Sequence, residues 1–235
     1  MNINWKYLWE SFCLQMFELQ GYKTVLEGLK NTLIIALGGF AIGLLLGMLL
    51  AIMQLLPDNK ITRVVKNISK LYVGLFRGTP IVVQLLVGWY VLKPMLGIQQ
   101  ASALAWGLVI FGMNSGAYMS EIIRGGILSV DKGQMEAGRS LGLNYMQTMI
   151  RIVIPQAFKN SLPSIGNELI AIIKETSVAG FVSVTDLQVA FKLQNTVYNP
   201  IICYLALAVV YIILVVIFSL LIKLVERRLR ASDKR

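Results

Sequence analysis

From Leu33 to Met53 the chain runs without a charged residue. About 20 apolar residues, each rising 1.5 Å in a helix, cross the hydrocarbon core of a bilayer. Inside that core only a helix or a closed barrel satisfies its own backbone hydrogen bonds. The run therefore restricts the fold to one built on membrane-spanning helices. A second uncharged run, Ile201 to Ile222, imposes the same restriction further on. Charged residues make up 14% of the 235, against about 25% in soluble domains. The mean hydropathy of +0.68 extends the conclusion to the whole chain.

Five spans are expected, at about 31–56, 71–92, 101–123, 160–182 and 201–222, giving an all-α integral membrane protein. In the first, Gly39, Gly43 and Gly47 recur at every fourth position, a small-residue face that lets another helix pack closely. In the second, Pro80 lacks a backbone donor, so a kink is expected there. Lys93, Pro94 and Gly97 mark the loop after it. Residues 1–22 form a separate N-terminal segment. Trp5, Leu8, Trp9, Phe12, Met16 and Leu19 fall on one helical face, which suits a helix lying at the membrane interface. Trp5, Trp9, Glu10, Gln15 and Glu18 interrupt the apolar core that a cleavable signal peptide needs.

The net charge is +10 and the sequence pI about 9.7. The basic residues sit in alternate connections. Lys60, Arg63, Lys66 and Lys70 occupy one; Arg124, Lys132, Arg139, Arg151 and Lys159 another; Lys223, Arg227, Arg228 and Arg230 the tail. The stretches 93–100 and 183–200, the latter holding Asp186, Lys192 and Asn199-Pro200, carry fewer. This bias reads as orientation, N-terminus outside and C-terminus cytoplasmic, rather than as nucleic-acid binding. The connection 124–159 then lies in the cytoplasm.

Histidine is absent, which excludes histidine bases, triads and His-ligated metals. Cys13 and Cys203 have no metal-site spacing and read as small buried hydrophobes. No GxxxxGK[ST] pattern occurs, so any ATP that drives this protein binds another chain.

The most distinctive polar stretch is Glu136–Pro155. Gln134 to Leu141 reads as a short helix with small residues at Ala137, Gly138 and Ser140, and with Glu136 and Arg139 to offer charge. Gly142 tolerates the left-handed turn that ends it. Tyr145, Met146, Met149, Ile150 and Val153 form an amphipathic stripe for packing along the membrane face. Pro155 is expected to break or kink the chain before the next span. On local physics alone, a docking helix and an ordinary connecting loop both fit.

The spacing adds more. Glu136-Ala137-Gly138, three residues, Gly142, nine residues, Ile152, one residue and Ile154-Pro155 is similar to the cytoplasmic "EAA" loop of ABC-importer permeases. It departs from that pattern at Gly138 (Ala there) and Ile154 (Leu there). Gly28–Gln54, Arg77-Gly78-Thr79-Pro80, the run NSGAYMSEIIRGG and the run NELIAIIKETSVAGF resemble the polar-amino-acid branch of the family. The likeness extends from about Gly28 to Glu226. It implies a type I importer permease in a bacterial inner membrane, a second permease subunit, ABC ATPase subunits and an external solute-binding protein. It also implies an amino-acid substrate, no cofactor in this chain, and ATP with magnesium in the partner ATPase. Glu136, Ala137, Gly138, Arg139, Gly142 and Pro155 are the coupling residues under this reading.

The candidate pathway residues are Asn114, Glu121, Glu168, Glu175 and Ser177. Asn114 and Glu121 are seven apart and share a helical face; Glu121 is also placed to pair with Arg124. Glu168 and Glu175 share a face of the fourth span, while Lys174 falls round the helix. Charge is costly within a membrane, so it faces a bundle interior or a wet cavity. Contact with substrate and satisfaction between subunits both remain open. The other readings are a permease for methionine or an osmolyte, an ion-coupled carrier and a non-transporting scaffold.

Overall fold

A computed structural model describes residues 4–194 and 200–231; Asn199, expected in the last connection, lies outside them. Among the described residues all regular structure is helical. The helices are α1 (Trp5–Cys13), α2 (Gly21–Leu55), α3 (Lys60–Arg77), α4 (Ile81–Val87), α5 (Lys93–Met95), α6 (Ala103–Leu128), α7 (Lys132–Ser140), α8 (Tyr145–Thr148), α9 (Ile154–Glu175), α10 (Leu187–Gln194) and α11 (Pro200–Ala231). Wide π turns occupy Leu14–Glu18, Gly88–Leu92 and Met149–Val153, and a 3₁₀ turn occupies Thr176–Val182. By length and composition α2 and α11 each suffice to cross a bilayer. Lys60–Arg77 and Ile81–Met95 do so only as a broken pair.

The chain divides into two compact units, and α2, α6, α9 and α11 contribute residues to both. The first comprises residues 1–39, 80–111 and 171–217. Its core includes Ile35, Leu85, Phe111, Ile172, Ile173, Val182, Leu187 and Phe191. The Asn31 side-chain amide donates to the Thr185 carbonyl (2.9 Å), and the Leu187 N–H donates to Thr32 Oγ1 (3.1 Å). These bonds tie α2 to the start of α10. Within the N-terminal segment α1 stops at Cys13, and Gln20 is left-handed (φ 58°) before α2 begins. Leu8 and Met16 are buried, Trp5, Trp9 and Leu19 are exposed, and Trp5, Trp9, Phe12 and Met16 line one groove together.

The second unit comprises residues 40–79, 112–170 and 218–235. Leu50, Val73 and Ala117 form a buried cluster, with Tyr72 and Phe76 packed on it. The expected glycine face is used here. A Cβ on Gly43 would stand 2.5 Å from Ser115 Oγ, and one on Gly47 would overlap Met119 Cβ and approach the Gly116 carbonyl oxygen to 3.0 Å. Only hydrogen at these positions admits α6 so closely. Hydroxyl and amide groups then fasten α3 to its neighbours. Tyr72 donates to the Met113 carbonyl (2.8 Å), Ser69 to the Leu50 carbonyl (3.1 Å), and Gln54 to Ser69 Oγ (3.2 Å).

Three expectations about helix limits need correction. The second span is not one helix kinked at Pro80. Here α3 begins at Lys60, where Asn59 and Thr62 form a reciprocal capping box, and it ends at Arg77. Pro80 is extended (ψ 140°) and caps a new helix, α4. Thr79, preceding a proline, is biased away from the helical region. Second, Lys93 is helical rather than in a loop; its side chain is buried with the ammonium 3.5 Å from the Trp89 ring centre. Third, α9 ends at Glu175 and not at 182. Thr176 and Ser177 donate back to the carbonyls of Ile173 (2.7 Å) and Lys174 (2.9 Å), which competes with the α ladder and favours the tighter turn. At the start of α3 the Lys66 ammonium bonds Asp58 and holds that carboxyl below its usual range.

Candidate functional site: the α7–α8 segment and the polar positions of α6 and α9

The segment that precedes α9 is a pair of short helices, each capped by its own sequence. Asp131 Oδ1 accepts from the Gly133 N–H (2.7 Å) and starts α7 at Lys132, two residues before the expected Gln134. At the other end Gly142 has φ +82°. Its N–H donates to the Arg139 carbonyl (3.0 Å), and the Leu143 N–H donates to the Gly138 carbonyl (3.2 Å). This pair of bonds is a Schellman closure, which requires a left-handed residue that glycine supplies at least cost. Asn144 and Gln147 then exchange side-chain to backbone bonds of 2.9 and 3.0 Å and open α8.

The two helices are held against each other at Gly138. It is buried, and a Cβ there would lie 2.5 Å from Thr148 Cγ2 and 3.0 Å from Ile152 Cδ1. The Thr148 hydroxyl is fixed by donating to the Asn144 carbonyl (3.0 Å). Further along, Gln156 donates to Gln134 Oε1 (3.1 Å) and Asn160 donates to Ser129 Oγ (3.0 Å). Thus Gln134 fastens α7 to the start of α9, and Ser129 fastens the end of α6 to the same helix. The glycine that departs from the family pattern is the contact point.

The opposite surface of α7 is open. Glu136, Ala137 and Arg139 are exposed, and Leu141 at the tip is 81% exposed. The charges are legible in the sequence; Leu141 is not, because its exposure depends on how the turn at Gly142 aims it. Tyr145, Met146 and Ile150 were expected to pack along the membrane face; they are exposed in this chain, and Val153 is the buried member of that stripe.

Pro155 requires a correction. It neither breaks nor ends the helical path, because it is the second residue of α9 and the chain stays helical from Tyr145 to Glu175. The preceding turn is widened, with the Ile154 N–H reaching the Met149 carbonyl. A proline removes one ladder donor and crowds the carbonyl four residues back. The wide turn absorbs both effects.

The polar positions of α6 lie in the same unit. Glu121 receives a forked pair of bonds from Arg124, 2.7 and 3.3 Å long, and stands 3.9 Å from an Arg77 nitrogen. The Arg77 guanidinium lies over the Tyr118 ring, 5.4 Å from its centre. The Arg-Gly-Thr-Pro arginine and the α6 carboxylate thus belong to one cluster, and the fork satisfies the expected Glu121–Arg124 pair. Asn114 is buried, its amide 3.5 Å from the Phe76 carbonyl at the end of α3. Glu168 is half-buried on α9 in this unit.

In the first unit Glu175 is exposed at the end of α9. Lys174 and Ser177 line a groove of about 500 Å³ with Tyr204, Tyr211 and apolar residues of α11. Glu175 is not among its lining residues. No local pattern signals this groove, since Tyr204 and Tyr211 lie inside an apolar run that reads simply as lipid-facing.

Comparison with known proteins converges on one assignment. Residues 43–231 match the family described as binding-protein-dependent transport system inner membrane component. An arginine transport system permease protein of Bacillus subtilis (strain 168) is 38% identical over 210 residues, 89% of this chain and 94% of that protein. A putative glutamine transport system permease of Rickettsia bellii (strain RML369-C) is 35% identical over 209 residues, 88% of this chain and 94% of its own length. Among solved structures, an amino acid ABC transporter crystallised with histidines superposes with a TM-score of 0.82 at 32% identity, covering 97% of this chain and all of the other.

Proposed function

Since the chain belongs to the binding-protein-dependent transport system inner membrane component family, we propose that it forms the translocation pathway of an ATP-driven importer for a polar amino acid and receives mechanical work at α7. It is a permease component of an amino acid ABC transporter and not itself an enzyme. The relatives' amino-acid substrates support the polar-amino-acid assignment. ATP and magnesium belong to the ATPase subunits. A second permease subunit and an external solute-binding protein complete the assembly in the bacterial inner membrane. The exposed apolar surface of α11 suits lipid and a second permease.

The observation that carries the coupling role is the exposed face Glu136–Ala137–Arg139–Leu141 on a helix closed by Gly142 and fastened to α9. A push on α7 passes through Gly138–Thr148 and Gln134–Gln156 into α9, and through Ser129–Asn160 to the end of α6. Rigid contacts of this kind displace whole helices, because packed interfaces hold discrete arrangements rather than deforming continuously. Asn114, Glu168, Glu175 and Ser177 supply the polar positions of the pathway. Two acids on one face of α9 suit a cationic amino acid or an α-amino group. Glu121, taken up by Arg124, is the structural member of the set.

The test is a photo-crosslinking amino acid at Ala137 in the intact membrane. The expected product joins this chain to a protein that binds ATP, and the same probe at Gly97 gives none. Labelling of an Ala137→Cys variant by impermeant thiol reagents applied outside intact cells would overturn the orientation and the coupling role together. For the pathway, Glu168→Gln is expected to change uptake or substrate preference; unchanged kinetics would remove Glu168 from it.

A further inference from the structure

Asp186 was expected in a polar connection, yet its side chain is wholly buried. Oδ1 accepts from the Val189 N–H (2.9 Å) and caps α10. Oδ2 has no hydrogen-bond partner, although water is excluded from it. Three hydroxyl residues meet at this place within the first unit. Thr32 of α2 is buried and accepts from the Leu187 N–H; Thr176 of the 3₁₀ turn is buried and donates to the Ile173 carbonyl. The hydroxyl of Tyr211, from α11, lies beside both threonines within the field of Asp186, and it too is buried without a bond of good geometry.

A buried carboxylate is costly unless a cation or a set of donors compensates it. The Asp186 carboxyl is approached by the backbone N–H groups of Asp186, Gln188 and Val189, and the Tyr211 hydroxyl, with Thr32 and Thr176 beside it, lies within its field. Tyr211 is the titratable one, and among the described residues no charged side chain acts on the Asp186 carboxyl. Without a counter-charge, a buried acid escapes the cost by taking up a proton.

We propose that Asp186 and the hydroxyls of Thr32, Thr176 and Tyr211 form an internal proton-binding site that joins α2, the 3₁₀ turn, α10 and α11. Proton uptake converts Oδ2 from an unmatched acceptor into a donor and leaves no net charge in the cluster. Release of the proton leaves a carboxylate facing hydroxyls and three N–H groups, so the ionised cluster is the looser one. Burial supports the same direction, pushing the carboxyl up to about 6. The inference does not rest on the transport assignment.

Infrared difference spectra of the full chain in nanodiscs, between acidic and neutral buffer, test it directly. The expected result is a protonated-carboxyl C=O band that fades with a midpoint near pH 6 and is missing in Asp186→Asn. Tyr211→Phe, which keeps the ring but removes a polar hydroxyl from the field of the carboxylate, is expected to move the midpoint upward, and it serves if Asp186→Asn does not fold. Identical spectra for wild type and Asp186→Asn, or a midpoint in the ordinary carboxylate range and unmoved in Tyr211→Phe, would overturn the proposal. So would a midpoint that shifts with sodium at constant ionic strength, since a metal cation would then be the occupant.

Discussion

Replacing Gly142 by alanine adds one methyl group where nothing stands within 4 Å. Sterics with neighbours therefore contribute nothing, and the whole penalty comes from holding an L-residue at φ +82°. That penalty is about 1–2 kcal/mol. Spent locally, it raises the open population of the α7–α8 turn roughly 5- to 30-fold. Gly97 provides the control, with φ +68° and equally empty surroundings, in the stretch between α5 and α6. Both substitutions are expected to lower thermal stability to a similar degree. In proteoliposomes carrying the assembled transporter, Gly142→Ala is expected to reduce substrate uptake per ATP hydrolysed, whereas Gly97→Ala leaves that ratio unchanged. Gly142→Asn should lie between alanine and wild type, because asparagine visits the left-handed region more readily. Equal ratios for the two alanine variants would refute the reasoning, for strain at Gly142 would then have no special route to coupling.

Further outcomes follow from the same geometry. Gly138→Ala is expected to cost roughly 1–3 kcal/mol by overpacking against Thr148, and Thr148→Ser, which removes the offending methyl, should recover much of it in a double-mutant cycle read by thermal unfolding. Gly47→Leu should abolish folded yield, because Met119 Cβ and the backbone around Gly116 and Ser120 cannot retreat as a flexible side chain would. By contrast, Gly74→Ala inside α3 meets nothing within 4 Å and should stabilise by up to about 1 kcal/mol. Glu121→Gln is expected to cost under roughly 1 kcal/mol, since its ion pairs are partly exposed and screened, and uptake should persist. For Asp186, a carboxyl raised to about 6 from 3.8 binds more protons folded than unfolded. Its contribution is complete below the unfolded value and is lost as pH rises through about 6. The loss amounts to roughly 3 kcal/mol at 1.36 kcal/mol per tenfold change in proton affinity. Asp186→Asn should remove that slope from the pH dependence of the melting temperature.

Much of this architecture is legible in the residues themselves. Leu33–Met53 and Ile201–Ile222 dictate α2 and α11 because charge-free runs of that length have few alternatives. The glycines 43 and 47 announce a close contact, and Gly142 announces where α7 ends. The remainder depends on context that a local pattern does not carry. Basic residues from Lys60 to Lys70 look like a connection, yet the Asn59–Thr62 box makes them the first half of α3. Pro80 signals a disturbance without saying whether it is a bend or a restart. Asp186 looks like a surface acid until the fold is seen to bury it, with Tyr211 of α11 brought within its field. Leu141 carries no sign in sequence that it will stand exposed at the tip of α7.

The widened turn at Met149–Val153 holds one residue more than a regular helix needs. Removing Ile150 would let the ladder close normally, and every side chain beyond it would swing by about 100°. Asn160 would lose Ser129, and Glu168 would look out on a different sector. That single surplus residue therefore acts as a phase setting: it fixes the angular bearing of Glu168 on α9 relative to α7. A designer wishing to reorient Glu168 need not alter that residue, only the count of residues between Thr148 and Pro155.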